Sequence, residues 1–314
     1  MKSSNLALPY NSLKDYLKQK YSTRVQKLTV SLATTCPNID GTKSVGGCIY
    51  CSIGSRPKSV NPYLSLEEQI SSQIERYTKR FGESVLFFVY FQSYSNTYLE
   101  LSKLERALEI ASSFQRVVGI DISTRPDCVP ESALELISSY AKRGFEVWLE
   151  LGLQSANFST LRYINRAHGV SDFVDAVLRA RRYDIKLCAH LILGLPGEDK
   201  QDMIESAKLI SALDLDGVKI HPIHVIKNTP LEKLYEEGKF RPLELEEYAS
   251  IVASIIEILP PRMIIHRLTG EVEPDRLVAP YYCTSEHKNS VINAILKELE
   301  LRSITQGSKS AFSV

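Results

Sequence analysis

The chain has 314 residues, 44% of them hydrophobic and 24% charged, with a net charge of +1, the balance of an ordinary globular protein that can bury a sizeable core. No window approaches the ~18 consecutive apolar residues of a membrane span. Six cysteines scattered over this length exclude a disulfide scaffold, so reduced thiols and a cytoplasmic setting are expected. The charge is unevenly spread: residues 1–60 hold nine basic side chains (Lys2, Lys14, Lys18, Lys20, Arg24, Lys27, Lys43, Arg56, Lys58) against Asp15 and Asp40. That excess reads either as a phosphate-binding face or as a solvated lysine-rich surface.

In chain order, residues 12–19 form an amphipathic helix and residues 25–33 the first strand. The strand feeds a loop rich in Gly, Asn, Asp and Thr that holds Cys36, Cys48 and Cys51 in a C-x11-C-x2-C spacing. Ser65 and Glu68 make a capping box that opens a helix running to about residue 79, and residues 84–91 are a buried strand. A helix over 99–114, a strand over 117–123 and a helix with Pro130 in its first turn, ending before Gly144, follow. Next come a strand over 145–151, a helix capped by Ser171, a strand over 186–193, a helix over 200–212 and a strand over 217–225.

Six strands separated by helices predict parallel βα units and an α/β fold of the partial (β/α)6 TIM-like barrel type. A doubly wound open sheet is the alternative, but no Gly-x-Gly-x-x-Gly turn follows the first strand. After residue 226 the pattern changes to helices over 231–238 and 243–259, a strand over 262–268, a loop over 269–285 and a helix over 289–301. The expected division is a basic segment over 1–24, the barrel over 25–226 and a C-terminal extension of helices and a strand over 227–314 that closes the barrel.

Three converging cysteines suit more than one group. Structural zinc wants a closed tetrahedral set, usually two Cys/His pairs, and no second pair exists: the first histidine is His168, and Cys128, Cys188 and Cys283 stand alone. A [4Fe-4S] cluster on three cysteines leaves one iron open, which S-adenosylmethionine (SAM) can chelate before an electron cleaves it to a 5′-deoxyadenosyl radical. An ordinary thiol-containing loop is the third reading. Parallel barrels carry their active sites at the carboxyl ends of the strands. Every unusual polar cluster lies there, which favours the cluster over zinc.

At those ends, Glu150 and Gln154 are placed to hydrogen-bond a ribose, or to form a polar network at the barrel mouth. Arg125 offers a fork to a carboxylate, or a salt bridge to Asp127 or Asp121. Gln92 follows the second strand. His190 lies in an apolar strand that lines the barrel, and Lys219 and His221, two apart, share a face. Gly194 and Gly197 permit either close approach of an adenine or a tight strand-to-helix turn. Packing is the expected role of Cys188.

These residues resemble the radical SAM superfamily, and in particular the radical SAM domain of the Elongator catalytic subunit. The motifs, in order, are Thr-Arg-Pro-Asp at 124–127, Glu-Leu-Gly-Leu-Gln-Ser at 150–155, Asn-Arg-Ala-His at 165–168, Ala-His at 189–190 with Leu-Pro at 195–196, and Lys-Ile-His-Pro at 219–222. The chain departs from that family in a longer cysteine loop and in Phe-Gln-Ser at 91–93, where the family has a Gly-Gly segment that meets the SAM amino group. It also has no room after residue 235 for an acetyltransferase domain. In length and cysteine loop it is similar to the short bacterial MnmL-like group.

The resemblance implies a [4Fe-4S] cluster on Cys36, Cys48 and Cys51, with SAM contacted by Gln92, Arg125, Glu150, Gln154, His190, Lys219 and His221. It further implies an electron donor such as flavodoxin or ferredoxin, and tRNA as partner. The implied chemistry is on the C5 side chain of the wobble uridine, of the kind that trims carboxymethylaminomethyluridine to aminomethyluridine. A radical SAM enzyme with a small-molecule substrate and a non-catalytic, zinc-stabilised RNA-binding module are the alternatives.

Overall fold

Apolar runs with β-branched and aromatic residues alternate with amphipathic stretches along this chain, and each becomes a strand or the helix that covers it. A computed structural model describes residues 8–32, 34–52 and 63–310. The strands are β1 (Val25–Val30), β2 (Leu86–Phe91), β3 (Val117–Thr124), β4 (Glu146–Gln154), β5 (Lys186–Leu193), β6 (Gly217–Pro222), β7 (Val225–Ile226), β8 (Ile264–Arg267) and β9 (Leu277–Ala279). The helices are α1 (Leu13–Tyr21), α2 (Leu66–Phe81), α3 (Leu101–Ser113), α4 (Glu131–Lys142), α5 (Phe158–Tyr163), α6 (Val170–Ala180), α7 (Lys200–Ala212), α8 (Pro230–Glu236), α9 (Leu245–Ile258) and α10 (Lys288–Leu301). None among the described residues is long and apolar enough to cross a membrane.

The main sheet runs β1-β2-β3-β4-β5-β6-β8, every neighbour parallel, and curls into the expected partial barrel. It has a seventh strand, because β8, from beyond residue 226, pairs with β6 in the register Gly217↔Ile264. Other boundaries also differ from expectation. The run over 217–225 breaks after Pro222, and β7 turns away to pair antiparallel with β9, which lies inside the stretch read as a loop. Pro130 caps α4 from outside its first turn. The helix expected to start from Ser171 is capped two residues earlier by Gly169, whose N–H donates to the Asp172 carboxylate at 2.7 Å. The short α5, capped by Asn157, was not foreseen. The capping box at Ser65 and Glu68 is present, with both reciprocal bonds, at 3.2 and 2.7 Å.

Period-two alternation sorts the strands into two faces. Leu28, Val89, Ile120, Leu149, Ala189 and Ile220 point outward under the helices and are buried in the main core. The inward positions hold a different set. At the amino ends of the strands, Phe88, Trp148, Cys188 and Ile264 plug the barrel and pack on Leu13 and Leu17 of α1. Gly119 and Gly217 make that plug possible: a Cβ would come within 2.3 Å of the Phe88 ring at the first and 2.9 Å of Trp148 at the second. Trp148 Nε1 donates to Glu146 at 2.8 Å, and Lys20 ties α1 to the same carboxylate at 2.6 Å. Above the plug lies a buried charged layer, and above that the mouth.

Candidate active site

The mouth is a cavity of about 330 Å³ into which Cys36, Cys48 and Cys51 project from one side. That volume is within the usual range of small-molecule sites. Its wall also contains Gln92, Arg125, Glu150, Gln154, His190, Lys219 and His221, so the ten residues expected to hold the cluster or SAM line one chamber.

The cysteine loop is shaped by its own backbone and clasped by a neighbour. The N–H groups of Ile39 and Asp40 bond Cys36 O at 2.7 and 3.1 Å, and Cys51 N bonds Cys48 O at 2.8 Å. Asn165, in the left-handed region at φ 53°, donates to Gly47 O at 2.8 Å and accepts from Ser44 Oγ at 3.1 Å, while Ile49 N bonds Ile164 O at 3.1 Å. The Asn-Arg-Ala-His motif thus begins with the clasp of the loop. Its next residue, Arg166, is buried with Nη1 3.7 Å from Cys48 Sγ and Nη2 donating to Gly152 O at 2.9 Å. Sequence reasoning quoted the motif and assigned Arg166 no role; its position beside the sulfurs comes from a loop contact 118 residues apart in the chain.

Arg125 is nearly fully buried, and its fork is taken by Asp127, through Nε and Nη2 at 2.9 Å each. Nη2 also reaches Arg166 O at 2.9 Å, and Nη1 faces Cys36 Sγ at 3.9 Å. Against the cost of burial, Arg125 and Lys43 hold the Asp127 carboxyl down at about 2. Burial, together with Cys48 and Cys36, pushes the Cys51 thiol up to about 12.

Beneath the cavity, Glu150 is fully buried and is the hub of the charged layer. It accepts from Ser123 Oγ at 2.9 Å, pairs with His190 Nε2 at 2.8 Å, and is held by Lys219 and, at 3.5 Å, by Lys27. Lys27 also pairs with the buried Asp121. Two carboxylates thus face two ammonium groups. Burial alone would raise the Glu150 carboxyl, but Lys219, Lys27 and His190 outweigh it and hold it well below the usual range. Burial and the neighbouring Glu150 instead push Asp121 up to about 7. Tyr90, unremarked in the sequence, closes the layer by bonding both Ser123 and Lys219 at 3.0 Å.

At the end of β4, Gln154 takes a left-handed backbone at φ 74°, and its Oε1 is buried with no partner. His221 bonds Pro222 O at 3.0 Å and stacks on His224. Gly194, at φ 78°, makes the strand-to-helix turn; a Cβ there would meet Leu243 at 2.8 Å. Cys128, Cys188 and Cys283 are buried separately, Cys188 in the plug as expected.

The basic excess over 1–60 is partly consumed by ion pairs. Lys20, Lys27 and Lys43 pair with Glu146, Asp121 and Asp127, and Arg24 covers the Phe81 ring at 4.1 Å. Lys2, Arg56 and Lys58 lie outside the described residues.

Among the described residues, the trio of His, Cys, Asp or Glu groups with ligand atoms all within 4.8 Å of one another is Glu150, Cys188 and His266, not the three loop cysteines. Arg125 Nη1 and Arg166 Nη1 are turned to the sulfurs of Cys36 and Cys48, a positive surround that suits thiolate ligands. The buried trio is no cation site, because Lys219 and Lys27 already neutralise Glu150.

Two family models match the chain, one described as the Radical SAM superfamily over residues 40–210 and one as the Radical_SAM C-terminal domain over 215–300. Protein YtqA of Bacillus subtilis is 37% identical across 97% of this chain and 94% of its own length. A tRNA uridine(34) acetyltransferase of Dehalococcoides mccartyi is 28% identical over 54% of this chain and 37% of its own. Among solved structures, Elp3 of the archaeon Methanocaldococcus infernus superposes with a TM-score of 0.62 at 21% identity, covering 90% of this chain and 64% of that one, a likeness of fold.

Proposed function

Because the chain belongs to the radical SAM superfamily and is therefore an enzyme that uses a [4Fe-4S] cluster and SAM, we propose that it modifies the C5 side chain of a tRNA wobble uridine. The reaction would be of the kind that converts carboxymethylaminomethyluridine to aminomethyluridine. The observation that carries this reading is the similarity, over half the chain, to an enzyme named for tRNA uridine 34. A cytoplasmic setting, with flavodoxin or ferredoxin as electron donor, goes with it.

In this reading Cys36, Cys48 and Cys51 hold the cluster, and their convergence on one cavity and the neighbouring Arg125 and Arg166 support that assignment. When bound, the reduced cluster supplies the electron that cleaves SAM to a 5′-deoxyadenosyl radical. The chain's own residues do the rest. Arg125 and Arg166 offset negative charge on the sulfurs. Gln154 presents an unpaired acceptor that could take a hydrogen bond from a ribose hydroxyl, and Gln92 lines the same cavity. Glu150, Lys219 and His190 form the fixed floor, a network whose internal bonds keep it from following the ligand.

The test is an oxygen-free reconstitution with SAM, dithionite and tRNA, read as 5′-deoxyadenosine and as wobble nucleoside by mass spectrometry. Parent enzyme is expected to shorten the side chain, and Cys36→Ala, Cys48→Ala and Cys51→Ala to yield neither product. Deoxyadenosine without any change in tRNA would remove the tRNA assignment. The pairing of Lys20, Lys27 and Lys43 with acids favours, in that event, a small-molecule substrate.

A further inference from the structure

The wall of the cavity made by β6 and β8 presents a charge that no acid among the described residues answers. Arg267 ends β8, beside Lys219 in the register of the two strands, and lines the same cavity as the cysteines from the other edge of the sheet. The other cations around the chamber have acceptors: Arg125 has Asp127, Lys219 and Lys27 have Glu150 and Asp121, and Arg166, whose Nε is also without an acceptor, has Gly152 O and faces the Cys48 sulfur. Arg267 forms no ion pair with the described residues, and its Nε is buried without an acceptor. Residues 1–7, 33, 53–62 and 311–314 contain no Asp or Glu that would supply one. An unpaired guanidinium in a partly desolvated wall is costly.

Its surroundings keep that charge unanswered. His190, His221 and His224 stand around it, each held neutral chiefly by burial, with Arg267 itself contributing. His221 and His224 stack at 5.3 Å, and the chain passes so close behind them that a Cβ on Gly270 would lie 2.1 Å from His224 Nε2. The end of β8 is fixed in turn by Tyr248, whose hydroxyl donates to Leu268 O at 2.9 Å. The guanidinium is thus held in a rigid, neutral frame facing the chamber.

We infer that Arg267 is the specificity residue of this site and binds a carboxylate carried by the substrate. This rests on the reading of the cavity as the reaction chamber. A planar fork with free N–H groups matches a carboxylate in two parallel bonds, better than it matches a neutral amide or hydroxyl. SAM carries a carboxylate as well, and whether SAM binding survives in an Arg267 variant distinguishes the two. For the proposed substrate, the group in question is the terminal carboxylate of the carboxymethylaminomethyl side chain.

The experiment compares binding, by the full chain with its cluster, of two tRNAs that differ only at the wobble base: carboxymethylaminomethyluridine and methylaminomethyluridine. Parent enzyme is expected to prefer the carboxylate by about ten- to a hundredfold. Arg267→Gln is expected to lose that preference and Arg267→Lys to keep part of it. Equal binding of the two tRNAs by the parent, or an undiminished preference in Arg267→Gln, would overturn the assignment. So would a tenfold loss of SAM binding in Arg267→Gln, measured by dialysis, because it would give the residue to the cofactor.

If neither tRNA binds, the proposed substrate is wrong and a second readout decides for Arg267 alone: its rate of modification by phenylglyoxal, mapped by mass spectrometry. Protection by N-acetylglycine but not by its uncharged amide supports a carboxylate site. No protection, or equal protection by inorganic phosphate at matched ionic strength, overturns it.

Discussion

Glu150 is the residue on which the chamber floor depends, and its bonds define what removing it would do. The carboxylate is fully buried and answers two ammonium groups, Lys219 and Lys27. Glu150→Gln would leave positive charge buried with Asp121 as its one carboxylate partner in the layer. Breaking a buried pair from one side costs about 3–5 kcal/mol, whereas removing both members is far cheaper. Urea unfolding of the metal-free protein is therefore expected to show a loss of that size for Glu150→Gln and partial recovery in Glu150→Gln/Lys219→Met. Additive losses in the double variant would mean that the two side chains do not act as a pair. That network was half legible in the sequence: Glu150, His190 and Lys219 were singled out by position at strand ends, each considered for a ligand. Their commitment to one another depends on which strands lie side by side, and on Lys27 and Asp121, whose inward positions follow from register.

At the scale of elements, each strand faces outward with aliphatic side chains and inward with aromatic plug, charged layer and cavity in turn. The six predicted strands, from periodicity and strand-end turns, are the first six of the sheet. The seventh, β8, was read as a lone strand of the tail because its partner β6 is separated from it by two helices and a two-residue strand, and sequence gives no register over that distance. The plug was hidden for a similar reason: Gly119 in a strand reads as a weakness until Phe88 is seen to fill the space above it. A methyl at Gly119 would lie 2.3 Å from that ring, so Gly119→Ala is expected to cost about 1–3 kcal/mol or more by overpacking. Thermal unfolding should show the loss, and Phe88→Leu, destabilising on its own, should relieve part of it in combination. If Phe88→Leu gives no relief, the clash is not what Gly119 avoids.

For the molecule as a whole, folding has to close loops at the barrel mouth as well as pair its strands, and one acid makes that closure depend on pH. Glu198, in the turn between β5 and α7, reaches across to Ser155 after β4. Burial, with Asp202 and Asp199 nearby, raises its carboxyl to about 7 although Ser155 and Thr160 hydrogen-bond it. The folded state therefore binds a proton that the unfolded state releases near 4.5, and linkage fixes the sign. As pH rises from about 4.5 to about 7 the protonated fold loses an advantage, and above that window the folded state bears the full cost of an ionised Glu198. Glu198→Gln removes the titration while keeping the shape and a hydrogen-bonding group. The variant is expected to gain on the parent steadily across that window, by an amount on the order of 2 kcal/mol at pH 8, allowing for the group's partial exposure. Urea midpoints of both proteins at half-unit steps from pH 5 to pH 8 measure the difference directly, and because every other titrating group is common to the two, it isolates Glu198. A constant gap across the series would mean that Glu198 is ionised throughout and that its contact with Ser155 stabilises the mouth as an ordinary charged hydrogen bond.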